Sequence, residues 1–160
     1  MEKRVIPMES LMQLLQVQLQ EGGQANLNVT GHSMHPTLRN RKDSVSLIPA
    51  TGQEKKGDII LYRRESGQFV LHRIIRVEEQ NYICSGDNQV MREPVSREQV
   101  LAVVNSFTRR GKVYGIDHMG YRIYVWALVN LFCLRKCYLL MRRHLARWIK
   151  NILGGKHNGN

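Results

Sequence analysis

The stretch Phe69-Val70-Leu71-His72-Arg73-Ile74-Ile75-Arg76-Val77 decides the fold class. It follows a Ser66-Gly67 turn signal and reads as a strand. Working outward, Asp58-Ile59-Ile60-Leu61-Tyr62 on one side and Tyr82-Ile83-Cys84 on the other read the same way. Further out, Val45 and Leu47 suggest another strand, and Leu27 and Val29 alternate with Asn26, Asn28 and Thr30. Leu101 to Val104 is expected to close the set as a last strand. Pro49, Gly52, Gly57-Asp58 and Ser85-Gly86-Asp87-Asn88 punctuate these runs as turns. Many short strands with little helix between them predict a mainly β domain, a barrel or sandwich core spanning roughly residues 24–108.

The two flanks differ from this core. Met8, Leu11, Met12, Leu15 and Leu19 recur at helical spacing before Gly22-Gly23, so residues 1–23 are expected to form a short amphipathic helix lying on the domain. Glu9 and four glutamines break that segment, which is too short and too polar to span a bilayer. Residues 109–160 read as a basic helical tail. Met1 to Thr108 holds 13 Lys/Arg against 12 Asp/Glu, whereas Arg109 to the end holds 11 against Asp117 alone. Ile123 to Leu134 is apolar except for Asn130. Beyond it, Tyr138, Met141, Leu145, Trp148 and Ile152 share one helical face, while Lys136, Arg143, Arg147 and Lys150 share another. A basic amphipathic helix with an aromatic anchor fits an anionic membrane surface, so peripheral association is expected, with the cytoplasmic face favoured by the Lys/Arg content. Its apolar residues form a stripe rather than isolated stacking aromatics, which argues against nucleic acid. The three cysteines, Cys84, Cys133 and Cys137, are expected to be free thiols.

The chemistry is carried by Gly31-His32-Ser33-Met34-His35-Pro36-Thr37-Leu38. A serine leaving a strand on a Gly- and Pro-bounded turn presents its hydroxyl and backbone N–H outward, as a nucleophile with an oxyanion site requires. Taken alone, a serine in a turn more often serves as a hydrogen-bonding cap. Three further boxes follow in order: Gly57-Asp58 with apolar residues, His72-Arg73, and Gly86-Asp87-Asn88. Together the four resemble the signal peptidase I superfamily over about residues 27–104. The resemblance implies a signal-peptidase-like β fold and a serine endopeptidase that processes an exported or precursor peptide. It also implies that Ser33 is the nucleophile.

Bacterial signal peptidases and the related self-cleaving repressors carry a lysine base in the third box. His72 stands there in this chain, as in the branch resembling the endoplasmic-reticulum signal peptidase. An imidazole, with an ordinary pKa near 6.5, needs less tuning than a lysine to accept a proton at neutral pH. The resemblance offers two acids to orient it: Asp87, from the Gly-Asp-Asn box, and Glu93, six residues later. Asp87 is the favoured third member, giving Ser33, His72 and Asp87 as the expected catalytic set. Gly31 stands where many bacterial members have an oxyanion-donating hydroxyl, so the Ser33 N–H is expected to do most of that work. His32, His35 and His72 invite a zinc reading, but the boxes account for Ser33 and His72 without metal, and no cofactor is expected. Only 23 residues precede the first strand, too few for the DNA-binding unit of a repressor. A β-fold module that binds membranes or partners without catalysis is the alternative from another class.

Overall fold

A computed structural model describes residues 8–20 and 22–131, together with the helical positions Cys137, Tyr138, Leu140, Met141, Arg142, His144 and Leu145. The elements run α1 (Met8–Gln20), β1 (Ala25–Asn28), β2 (Asp43–Pro49), β3 (Ile59–Arg63), β4 (Phe69–Val77), β5 (Asn81–Ser85) and β6 (Glu93–Ser96). A 3-10 turn at Arg97–Gln99 leads into β7 (Val100–Arg109), β8 (Lys112–Gly115) and α2 (Met119–Asn130). The chain is mainly β, as its short apolar runs predict.

All strand pairings are antiparallel, in the order β1-β2-β7-β3-β4-β5-β6. The long strand β7 organises this sheet. One edge pairs with β2 along its length, while the other pairs with β3 over Val100–Val103 and with β8 over Ser106–Arg109. The sheet is open. Among the described residues no ladder joins β1 to β6, so the expected barrel closure is not made. The final strand also runs five residues past Val104 and turns back as β8, because Arg110 and Gly111 both take positive φ and form a tight hairpin turn.

Both faces of the sheet are apolar. On one, Val45, Leu47, Ile59, Leu61, Ala102, Val104 and Phe107 meet Met12, Leu15 and Leu19 of α1, with Met34 and Leu38 from the loop after β1. The N-terminal helix therefore lies on the domain, against β1 and β2. On the other face, Ile60, Tyr62, Val70, Ile74, Tyr82, Cys84, Val95 and Val103 form a second cluster. Strand alternation produces the division: Ile59 and Leu61 face one way, Ile60 and Tyr62 the other.

The segment after β8 packs back on this framework. α2 starts at His118, whose side chain accepts a hydrogen bond from the Gly120 N–H. Its Tyr121 packs against the first cluster and its Val129 is buried. Met119, Ile123 and Trp126, spaced about one turn apart, are exposed. No helix among the described residues is long and apolar enough to cross a membrane. Tyr138, Met141 and Leu145 are helical and exposed. Lys136, Arg143, Arg147, Trp148, Lys150, Ile152 and Cys133 lie outside the described residues.

Gly57 marks where α2 meets the sheet. Its φ is 105°, and a Cβ built there stands 2.8 Å from the Val125 Cγ1. An alanine at this position meets both a disfavoured backbone conformation and the helix. Gly57→Ala is expected to lower folding stability by about 1–3 kcal/mol, read from the urea midpoint at constant m. An unchanged midpoint contradicts this packing.

Candidate functional site

The loop between β1 and β2 carries Ser33. Gly31 takes φ 89°, a conformation that favours glycine, and its N–H donates to the Asn40 Oδ1 at 3.0 Å. Asn40 also bonds the His32 ring at 3.1 Å, so one side chain ties down both residues before the serine. Residues 33–37 then turn, with the Leu38 N–H donating to the Met34 carbonyl at 2.9 Å, and Met34 and Leu38 buried as the loop's apolar roots. Ser33 is half-buried, and His35 is exposed on the turn. The Gly86-Asp87-Asn88 turn supports the loop from behind. The Asn88 N–H donates to the Ser33 carbonyl at 2.7 Å, and Asn88 Nδ2 donates to the His32 carbonyl at 3.2 Å. A Cβ on Gly86 stands 2.7 Å from the Ser33 carbonyl oxygen and 3.0 Å from the Ser33 Cβ, so only glycine fits.

His72 lies on β4 opposite Ile60 and is buried. Ser33 and His72 line one cleft of about 790 Å³, together with Asn28–Gly31 and Phe69–Leu71. No hydrogen bond joins the two in this structure. Among the described residues, the Ser33 N–H donates to no protein acceptor. A further opening, lined by Lys56, Ile75, Arg76, Val77, Arg92 and Val129, lies away from Ser33 and His72.

The carboxylate at the His72 ring is Glu93. Its Oε1 lies 2.9 Å from His72 Nδ1. Tyr62 OH donates to the same oxygen and lies 3.0 Å from Nδ1. Arg64 closes the group with Nε on Oε2 at 2.8 Å and Nη2 on Oε1 at 2.7 Å. The Nδ1–H is therefore donated to Glu93, which leaves the Nε2 lone pair as the basic position of a neutral ring. Burial pushes the His72 pKa below its ordinary value; the charge and hydrogen bond of Glu93 push the other way without cancelling it. Burial opposes the charge of Glu93 in turn, but the hydrogen bonds from Arg64 and Tyr62 outweigh it and hold that carboxyl below its usual range. Burial, reinforced by Glu93, raises the Tyr62 phenol far above its usual value and keeps it a donor.

Asp87, favoured from the sequence as the third member, is held elsewhere. Its Oδ1 accepts from Arg73 Nε at 2.9 Å and its Oδ2 from Arg73 Nη2 at 2.7 Å, and both side chains are fully buried. Thr37 Oγ1 also donates to Asp87 Oδ2, over a very short separation. Arg73 Nη1 donates to the Gly57 carbonyl at 2.7 Å. The cause is elementary strand geometry. His72 and Arg73 are neighbours and must face opposite sides of the sheet. Arg73 pairs with Ser85, and Asp87 follows it onto the arginine's side. Cys84 stands between Ile74 and Glu93 across the strands, which puts Glu93 on the same face as His72. The extra methylene of Glu helps span that distance.

Tyr62 and Arg64 were not singled out from the sequence. The signal was present: Tyr62 stands two residues after Ile60, the cross-strand partner of His72, and so on the same face, and Arg64 continues that alternation. Cys84 is buried, and burial with the charge of Glu93 pushes its thiol up to about 12. Cys137 is exposed. Among the described residues no cluster of His, Cys, Asp and Glu has the arrangement of a metal site. No protein-family model matches the chain, and no curated protein matches it.

The electrostatics give a direct expectation. The His72 ring, followed by NMR, titrates below pH 6.5. Because Glu93 favours the charged ring, Glu93→Gln moves that titration lower still. A midpoint above 6.5, or an upward shift in the variant, contradicts the Glu93–His72 contact.

Proposed function

We propose that this protein is a serine endopeptidase of the signal-peptidase type, with Ser33 as nucleophile, His72 as general base and Glu93 as the acid that orients the ring. The observation that carries this reading is the shared cleft: Ser33 and His72 line it together, and the Nδ1 of the histidine is committed to Glu93. The four sequence boxes supply the family reading, including the signal-peptidase-like character of the β fold. In place of the expected Asp87, the geometry favours Glu93 as third member; Asp87 supports the loop through Arg73 and Thr37.

The reaction follows from these roles. His72 Nε2 takes the Ser33 hydroxyl proton as Oγ attacks the scissile carbonyl carbon. The developing oxyanion is stabilised by the Ser33 N–H, which has no competing protein acceptor among the described residues. Collapse breaks the C–N bond, and the imidazolium returns its proton to the departing amine. Water, deprotonated by the same nitrogen, then releases the acyl group from Ser33. Glu93 stabilises the imidazolium throughout without itself taking the proton. A peptide segment presented in extended form fits a cleft bounded by β1 and the first half of β4, whose Phe69–His72 edge is unpaired by β5.

We further infer that the enzyme works at an anionic bilayer surface, with the cytoplasmic face favoured. Met119, Ile123 and Trp126 expose an apolar and aromatic stripe, in the segment from residue 109 onward that carries 11 basic residues against one acid.

A fluorophosphonate probe is expected to label the wild-type protein, and Ser33→Ala and His72→Ala each abolish labelling. The labelling rate falls with acid only below pH 6.5, because the lowered His72 pKa keeps the base free above it. A folded protein that never labels supports the non-catalytic module instead. In flotation with vesicles containing anionic lipid, wild type floats and Trp126→Ser with Ile123→Ser floats less; equal flotation removes the membrane reading.

A further inference from the structure

The C-terminal segment reaches the Ser33 loop directly at Thr37 and indirectly through Asn88. Downstream of the serine, Tyr124 of α2 lies 2.9 Å from the Thr37 Oγ1. The one hydroxyl proton of Thr37 goes to Asp87, so Tyr124 must be the donor here. Tyr121, one turn earlier, accepts from Arg73 Nη1 at 3.2 Å. At the serine itself, Arg142 Nη2 donates to the Asn88 Oδ1 at 2.8 Å, and Asn88 in turn holds the carbonyls of Ser33 and His32. None of these three residues belongs to the four boxes. All lie in the basic C-terminal segment.

The loop needs such support. Between β1 and β2 the backbone makes few hydrogen bonds of its own around the serine: His35 to His32 at 3.3 Å and Leu38 to Met34 at 2.9 Å. The remaining hydrogen bonds on residues 33–37 come from other segments: the Asn88 N–H to the Ser33 carbonyl, Arg109 Nη2 to the Pro36 carbonyl at 3.3 Å, and the links of the Thr37 hydroxyl. We propose that Tyr124 and Arg142 are positioning residues: the C-terminal segment clamps the Ser33 loop and fixes the serine hydroxyl relative to His72. This rests on the peptidase reading for what the loop does, but not for whether it is clamped. Neither residue reaches the reacting atoms; each acts through a neighbour. A displacement of about 1 Å at a reacting group can cost about 100-fold in rate, so two modest links suffice to matter.

The test uses the full chain as wild type, Tyr124→Phe, Arg142→Gln, Thr37→Val and the Tyr124→Phe/Thr37→Val double variant. Two readouts are taken: amide hydrogen exchange of residues 33–38, and fluorophosphonate labelling of Ser33 resolved into a maximal rate and a half-saturating concentration. Tyr124→Phe is expected to speed exchange in the loop and to slow the maximal labelling rate, each by about 10-fold, with half-saturation little changed. Arg142→Gln acts in the same direction by about 3-fold. If Tyr124 works through Thr37, the double variant is no slower than Thr37→Val alone. The proposal is overturned if folded Tyr124→Phe exchanges and labels like wild type, or if the two single effects multiply in the double variant. Should Thr37→Val fail to fold, loop exchange in Tyr124→Phe and Arg142→Gln decides between the same two outcomes. A wild type that never labels, yet shows the exchange response, removes the peptidase reading and supports the clamp.

Discussion

The buried ion pair of Arg73 and Asp87 is the interaction on which the rest of the structure depends. Neither side chain has exposed surface, so neither charge is tolerable alone. Each is satisfied several times over. The arginine donates twice to the aspartate and also reaches the Gly57 carbonyl and the Tyr121 hydroxyl, while the aspartate accepts from Thr37 as well. Burial lowers the arginine's affinity for its proton, but Asp87 more than restores it and the guanidinium stays charged. These bonds join five places far apart in sequence: the turn before β3, strand β4, the Gly86-Asp87-Asn88 turn, the serine loop and α2. Removing either partner leaves an uncompensated charge at that junction.

The strand that carries Arg73 also carries His72. Side-chain alternation sends Arg73 toward Asp87 and His72 toward Glu93, so two adjacent residues require two separate carboxylates. One acid is buried and structural. The other, Glu93, is partly exposed and held by an arginine and a tyrosine as well as by the ring. That division suits the chemistry. A carboxylate pinned by four donors orients an imidazole well and competes poorly for its proton.

Much of this was legible in the residues. Short apolar runs between Gly- and Pro-containing turns gave the strands, and the spacing of Met12, Leu15 and Leu19 gave the helix that covers one face. The order of their boxes singled out Ser33 and His72 together, and the fold brings both to one cleft. The choice between Asp87 and Glu93 was not legible, since it depends on which face of β4 each acid approaches, and sequence distance carries no face. A motif analogy favoured Asp87; strand register favours Glu93. Sheet closure was equally hidden, because alternation reports which side of a strand is buried and says nothing of whether the first and last strands meet. The inward role of Tyr121 and Tyr124 escaped notice for a different reason. In a segment this basic and apolar, two tyrosines read as part of the surface pattern.

The division of charge along the chain invites a cut near residue 108, where a nearly neutral segment gives way to a basic one. The contacts do not respect that line. β8 continues the edge that β3 begins on β7, Tyr121 packs on the first apolar cluster, and Val125 stands over Gly57. A chain shortened to its electrically neutral part would leave the β8 side of β7 unpaired and the Thr37–Asp87–Arg73 group open on the side α2 covers. The boundary visible in the charges is thus an electrical one, and the mechanical unit extends through the helix beyond it.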